Sequence, residues 1–149
     1  IDESICPVDC QTAGMIVDDT LHKLLVAELP AGVKLRVIFD SCHSGSALDL
    51  PLRWDGKFFQ TEGATVAHLQ NDIIFLSGCR DPETSADSNF EGHPNGALTH
   101  ALLHVLVLPG VSTWRLLCAA IRDYLSADYT QIPQISLCDR DHLDNIVDL

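Results

Sequence analysis

The run Leu35-Arg36-Val37-Ile38-Phe39 leads, with no Pro or Gly, straight into Asp40-Ser41-Cys42-His43-Ser44-Gly45-Ser46. Four of its five residues are apolar strand formers, the composition of a central strand covered on both faces. The polar, glycine-containing turn then falls at the strand's carboxyl end, the edge of an open α/β sheet where ligands and chemistry gather. A thiol at Cys42, with the Asp40 carboxylate two residues before it and Gly45 three after it, is a candidate nucleophile. The plainer reading makes Cys42 a small buried hydrophobe that ends a strand. A core strand, however, has no reason to end in Asp-Ser-Cys-His-Ser-Gly.

Along the rest of the chain, Pro7 fixes a short extended piece over Ile5 to Asp9. Asp18 or Asp19 caps a helix whose apolar stripe is Leu21, Leu24, Leu25 and Leu29, ended by Pro30-Ala31-Gly32. A helix leading into the Leu35 to Asp40 strand is half of a βαβ unit, so the expected class is α/β, a mostly parallel central sheet flanked by helices. Residues 46–71, with Pro51, Gly56 and Gly63 scattered through them, read as a long loop, functional or cleavable. Ile73 to Leu76 restores a buried strand ending at Ser77-Gly78-Cys79, and residues 80–95 read as a second loop beside Cys42. Leu98, Ala101, Leu102, Val105 and Leu106 give a helical stripe closed by Pro109-Gly110. Ser112 is the expected N-cap of a further helix with Trp114, Leu117, Cys118, Ile121 and Leu125 on its buried face. A last strand is expected around Gln134 to Cys138. His100 and His104 lie four apart, but with no further ligand beside them a solvated helix face explains them better than a metal pair.

At 149 residues, the chain is expected to be one domain spanning 1–149. The formal net charge of -12 argues against nucleic acid or an anionic membrane as partner and favours cations or basic peptides. Six cysteines without a Cys-x-x-Cys pair read as reduced thiols of a cytoplasmic protein. No run of about 18 apolar residues offers a membrane span. The chain begins with Ile1, and no signal-peptide pattern follows, so an N-terminal portion is expected to be missing.

Asp40-Ser41-Cys42-His43-Ser44-Gly45, followed by Ala47-Leu48-Asp49-Leu50-Pro51, resembles the catalytic cysteine motif of metacaspases, the caspase-like peptidases of protists, fungi and plants. Cys6-Pro7-Val8-Asp9, Ile16-Val17-Asp18-Asp19, Leu29-Pro30-Ala31-Gly32-Val33 and Ser77-Gly78-Cys79-Arg80-Asp81 are similar to that family too, so the likeness covers nearly the whole chain. The resemblance implies a caspase-like fold, Cys42 as nucleophile and peptide cleavage after Arg or Lys by a monomer. It makes Asp40 the anchor for the substrate's basic side chain, a role that suits a carboxylate near the thiol. It also implies a calcium site at Asp2, Asp18, Asp19 and Asp49. Calcium takes about six to eight oxygens, and four carboxylates supply most of them; without the resemblance, Asp18-Asp19 reads as a solvated helix start favoured by the dipole. The family's Tyr-Ser-Gly-His-Gly motif is not in this sequence, and a caspase-type histidine lies about 50 residues before the cysteine, a point before Ile1. His43 faces away from Cys42 on an extended chain. The N-terminal strands and the general base are therefore expected to be absent from this chain. Arg53 and Lys57, basic residues in the long loop, are candidate self-cleavage sites. The expected function is a calcium-dependent cysteine endopeptidase. The alternatives are a catalytically silent relative that binds calcium or protein partners, and an unrelated α/β domain with a buried cysteine.

Overall fold

The computed structural model describes residues 3–41, 44–61, 71–80, 87–90 and 93–149, with the backbone alone at 87–90 and 93–94. At the start, β1 (Ser4–Ile5) and β2 (Ile16–Val17) pair antiparallel around the short helix α1 (Cys10–Ala13). Helix α2 (Asp18–His22) runs on into a wider π-type turn, Lys23–Ala27. That turn shifts the phase of the apolar stripe. Leu21, Leu25, Val26 and Leu29 face the core, and Leu24, expected beside them, is exposed.

β3 (Lys34–Phe39) follows, and then the stretch expected as one loop contains a hairpin, β4 (Leu52–Trp54) with β5 (Phe59–Thr61). β6 (Asp72–Ser77) is as expected; residues 80–95 hold parts of a second hairpin, β7 (Asp87–Phe90) with β8 (His93–Gly96). Helices α3 (Ala97–Val105) and α4 (Trp114–Leu125), strand β9 (Gln134–Leu137) and a 3-10 turn at Arg140–Asp144 complete the chain. Trp114, Leu117, Cys118, Ile121 and Leu125 form the buried face of α4 as its periodicity requires. Its N-cap is Thr113, not Ser112, because the Thr113 hydroxyl accepts from the Leu116 N–H.

The main sheet has the order β3-β6-β9-β4-β5. It is mixed: β3 and β6 pair in parallel, whereas β9 is antiparallel to both β6 and β4. The direction of β9 follows from the two helices that precede it. α3 starts at the carboxyl end of β3, where Thr99 meets Asp40, and α4 starts at the opposite edge, where Trp114 bonds Asn145. Two helices in succession return the chain to the edge it left, and β9 sets out from there with Gln134 opposite Ser77.

Alternate residues of β6 serve two cores. Ile74 and Leu76 pack with α3 and α4, while Ile73 and Phe75 pack with Leu48, Leu50 and the α2 side, and all four β6 residues are at most 1% exposed. Both faces of the sheet are thus covered at β6, whereas β3, expected as a central strand, is the end strand among the described residues and is only half-buried. At the edge opposite the Cys42 turn, Arg36 reaches Asp72 and Asp148 at 2.7 Å each, and Lys34 reaches Asp148 at 2.9 Å. These bonds fasten the last residues to the start of β3.

Candidate functional site

Because β3 and β6 are parallel and in register, Phe39 opposite Ser77, both strands end at one rim of the sheet. The Gly78 N–H donates to the Phe39 carbonyl at 2.9 Å and continues the pairing one residue past the strands. Cys42 and His43 lie outside the described residues, but the residues that bracket them are held. Ser44 is buried, its hydroxyl donates to the Ser41 carbonyl at 2.9 Å, and the Cys79 thiol reaches the same carbonyl at 3.6 Å. From β9, the Ser136 hydroxyl meets the Gly45 carbonyl at 3.5 Å. Ser41, Ser44 and Gly45, which bracket Cys42 in the chain, are thus tied to one another and to the ends of β6 and β9.

Asp40 is engaged by α3. Its Oδ2 accepts from the Thr99 N–H at 2.8 Å and from the Thr99 hydroxyl at 2.7 Å. The helix has Gly96 at its N-cap position and no side-chain cap of its own, so the strand supplies the acceptor its free N–H groups need. Gly96 packs so closely on Asp40 that a Cβ there would overlap the carboxylate. Sequence reading missed Thr99. The available signal was Gly-Ala-Leu-Thr opening a helix, with Gly96 at the N-cap offering no side chain to cap it.

Asp18, Asp19 and Asp49 come together, although Asp49 is thirty residues away in sequence. Each offers a carboxylate oxygen, and these oxygens lie within 4.8 Å of one another, a spacing that one ion with ligands at about 2.4 Å can bridge. Asp18 is buried, and both its oxygens accept backbone N–H groups, Oδ2 from Glu3 at 2.9 Å and Oδ1 from Asp19 at 2.8 Å. Asp49 stands at φ 47, left-handed backbone rare for a residue with a Cβ, while its neighbours Leu48 and Leu50 are buried. The His22 Nδ1–H donates to the Leu48 carbonyl at 2.8 Å and ties α2 to this loop. Glu3, not anticipated from sequence, accepts a hydrogen bond from the Ser46 hydroxyl and so joins the cluster to the turn after Cys42. Asp2 lies outside the described residues. A recess lined by Glu3, Asp18, Phe39, Ser41 and Ser44 lies between Asp18 and the rim.

The two candidate self-cleavage residues are placed differently. Arg53 is in β4, paired on one side to Ser136 and on the other to Gln60. Lys57 is exposed in the β4–β5 turn, where Asp55 Oδ1 accepts from the Lys57 and Phe58 N–H groups at 2.8 and 2.7 Å. Those two backbone bonds hold the Asp55 carboxyl below its ordinary value. His100 and His104 lie against the ring of Tyr124, and His100 Nε2 is 3.0 Å from its hydroxyl.

Residues 1–51 match the family model of the metacaspase, peptidase C14 domain. The chain is 34% identical over 183 residues to Metacaspase-1 of Schizosaccharomyces pombe, covering 91% of this chain and 43% of the relative. It is 34% identical over 180 residues to Metacaspase-1 of Mycosarcoma maydis, covering 90% and 45%. Metacaspase-1 of Cryptococcus neoformans is 36% identical over 182 residues, covering 91% and 40%. The chain thus spans less than half the length of these curated relatives. A crystal structure of a Geobacter sulfurreducens protein superposes with a TM-score of 0.65 at 24% identity, over 99% of this chain and 63% of that one. With the mixed sheet and its flanking helices, these likenesses make the fold caspase-like. Among the described residues, no helix is long and apolar enough to cross a membrane.

Proposed function

This chain belongs to the metacaspase family, and from that premise we propose that it is the nucleophile-bearing part of a calcium-dependent cysteine endopeptidase that cleaves after Arg or Lys. The observation that carries the proposal is the convergence of Asp18, Asp19 and Asp49 behind the loop that leads away from the Cys42 turn. In the reaction, the Cys42 thiol gives its proton to a base and its sulfur attacks the scissile carbonyl carbon. The tetrahedral oxyanion is met by backbone N–H donors of the turn, and the amine leaves with a proton from the protonated base. Water then releases the acid and regenerates the thiol. Asp40 attracts the basic side chain before the scissile bond; its bonds to Thr99 support this role by fixing the carboxylate.

The residues that would hold the metal are Asp18, Asp19 and Asp49, with Asp2 the fourth ligand of the proposal. Calcium, when bound, supplies the positive charge that lets these carboxylates share one space. The side chains of this chain do the positioning. Asp18 is pre-aligned by two backbone N–H groups, and Glu3 with Ser46 links the same cluster to the turn. The reading includes a monomer working in the cytoplasm.

The test is a longer protein that includes an upstream segment, assayed with calcium on a peptide ending in Arg or Lys. Cys42→Ala is expected to abolish cleavage and leave the fold unchanged; wild-type cleavage by that variant overturns the reading. A second reading, a catalytically silent calcium- or protein-binding relative, is favoured by one observation. His22 and His100 are already engaged, by the Leu48 carbonyl and by Tyr124. Absence of cleavage by the longer protein, with calcium bound and the fold intact, would decide for it.

A further inference from the structure

Cys6 and Cys10 lie outside the chemistry described so far. Their side chains meet at the surface, Cys6 exposed and Cys10 half-buried, with the two sulfur atoms 3.1 Å apart. That is closer than unbonded sulfurs usually pack, and about 1 Å beyond a disulfide bond. The approach is built by the backbone. The Cys10 N–H donates to the Pro7 carbonyl at 3.0 Å, closing a turn across Pro7 to Cys10, and α1 then holds Cys10 through the Gly14 N–H bond to the Cys10 carbonyl at 3.0 Å. On the other side, β1 holds the chain up to Ile5 by pairing with β2. The proline restricts the intervening backbone, so the two thiols are kept together by elements on both sides. Cys118 and Cys79, by contrast, are buried and cannot meet a solute.

We propose that Cys6 and Cys10 are a reversible redox site that closes to a disulfide on reaction with a small-molecule disulfide. One cysteine, as thiolate, attacks a sulfur of the reagent; a mixed disulfide forms and one small thiolate leaves. The other cysteine loses its proton and attacks the protein sulfur of that mixed disulfide. The Cys6–Cys10 bond forms and the second small thiolate leaves. The protein gives up two electrons and two protons, and the reagent becomes two thiols. The Cys6 thiol keeps its proton above the ordinary pH range, first because it donates to Cys10 and second because of the charge that Cys10 would carry. The exchange therefore speeds up as pH rises. Closure ties α1 to the end of β1, two residues beyond Glu3, so the pair sits on the segment that reaches Asp18 and Ser46.

The test uses the full chain with oxidised glutathione, followed by acid quenching and peptide mapping of each cysteine. The expected product is a segment spanning Cys6 and Cys10 that is lighter by two hydrogens, carries no adduct and is restored by dithiothreitol. Cys10→Ser should stop at the mixed disulfide on Cys6. Stable glutathione adducts on wild-type Cys6 or Cys10, chains cross-linked through them, or unreacted thiols at both would each overturn the proposal. The mapping reads these two residues separately from Cys42, so the outcome is independent of the peptidase reading.

Discussion

The Asp40 carboxylate and Thr99 are joined by two hydrogen bonds, from the Thr99 N–H at 2.8 Å and from its hydroxyl at 2.7 Å. Asp40 thereby caps α3 and is itself held at the rim beside the Cys42 turn. Thr99→Val removes one bond, with an expected loss of about 1 kcal/mol, and Asp40→Ala removes both and costs more. Asp40→Asn retains an acceptor, so it should remain closer to wild type in stability while weakening the recognition of basic substrates by the longer protein. Urea unfolding midpoints measure the first effects, and KM for an Arg-ended peptide the last. A Thr99→Val protein as stable as wild type would remove the capping role.

Asp49 adopts a left-handed backbone that Asn tolerates and Ala does not. Asp49→Asn should therefore fold as well as wild type without calcium but gain no stability when calcium is added. Asp49→Ala should lose about 1 kcal/mol even without the ion. For wild type, a ligand selective for the native state adds about 2.7 kcal/mol at a hundred times its Kd. Thermal unfolding with and without calcium separates these cases, and equal calcium responses in wild type and Asp49→Asn would exclude Asp49 as a ligand.

Periodicity made β3, β6, α3, α4 and β9 legible, because each has an apolar pattern long enough to carry a period. The β4–β5 hairpin was not legible: its strands have three residues each, Leu52-Arg53-Trp54 and Phe59-Gln60-Thr61, and Pro51 and Gly56 beside them read as loop. Nor does local sequence show that β9 runs against β6, since that direction depends on the number of helices laid between them. The same holds at the site. Asp18 and Asp19 are neighbours in sequence, but their meeting with Asp49 depends on Leu48 and Leu50 being buried on either side of it. Only the family likeness joined those three positions before the fold did. Thr99 is fifty-nine residues from Asp40, and the one local hint was an uncapped helix start.

Acid should weaken the fold through Asp148. Its hydrogen bonds from Arg36 and then Lys34 hold its carboxyl well below the usual carboxylate range. A group depressed in the folded state contributes stability above its unfolded value, about 3.9 for Asp, and loses it as pH falls through the folded one. Asp148→Asn should therefore lower stability at neutral pH and reduce the fall in unfolding midpoint between neutral pH and about pH 3. An unchanged acid dependence would show that these partly exposed bonds are screened by solvent.

Burial also sets thiol reactivity. It pushes the Cys118 thiol up to about 11 and the Cys138 thiol up to about 12. Because the thiolate is the nucleophile, both should resist iodoacetamide near neutral pH in the folded chain and react once urea exposes them. Exposed Cys6 should be labelled before either. Mass spectrometry of timed alkylation reads the order, and early labelling of Cys118 would mean that α4 opens readily from the sheet.

Self-cleavage, if the longer protein is the peptidase proposed above, should occur after Lys57 and not after Arg53. A cysteine peptidase needs several residues of its substrate extended and unpaired. Arg53 sits between two strands, so reaching its peptide bond means removing β4 from both β9 and β5. Lys57 sits in a turn whose tip is exposed, with Phe58 71% exposed. The turn is nonetheless pinned: Asp55 accepts from Lys57 and Phe58, Arg122 donates to the Asp55 carbonyl, and Gly56 holds a positive φ of 101 against that guanidinium. Asp55→Ala releases two of these bonds, so it should speed cleavage after Lys57 severalfold while leaving the Arg53 bond intact. N-terminal sequencing of the calcium-treated protein should find new chains beginning at Phe58. Chains beginning at Trp54, or an Asp55→Ala protein cut no faster than wild type, would show that access to this hairpin is not what limits the reaction.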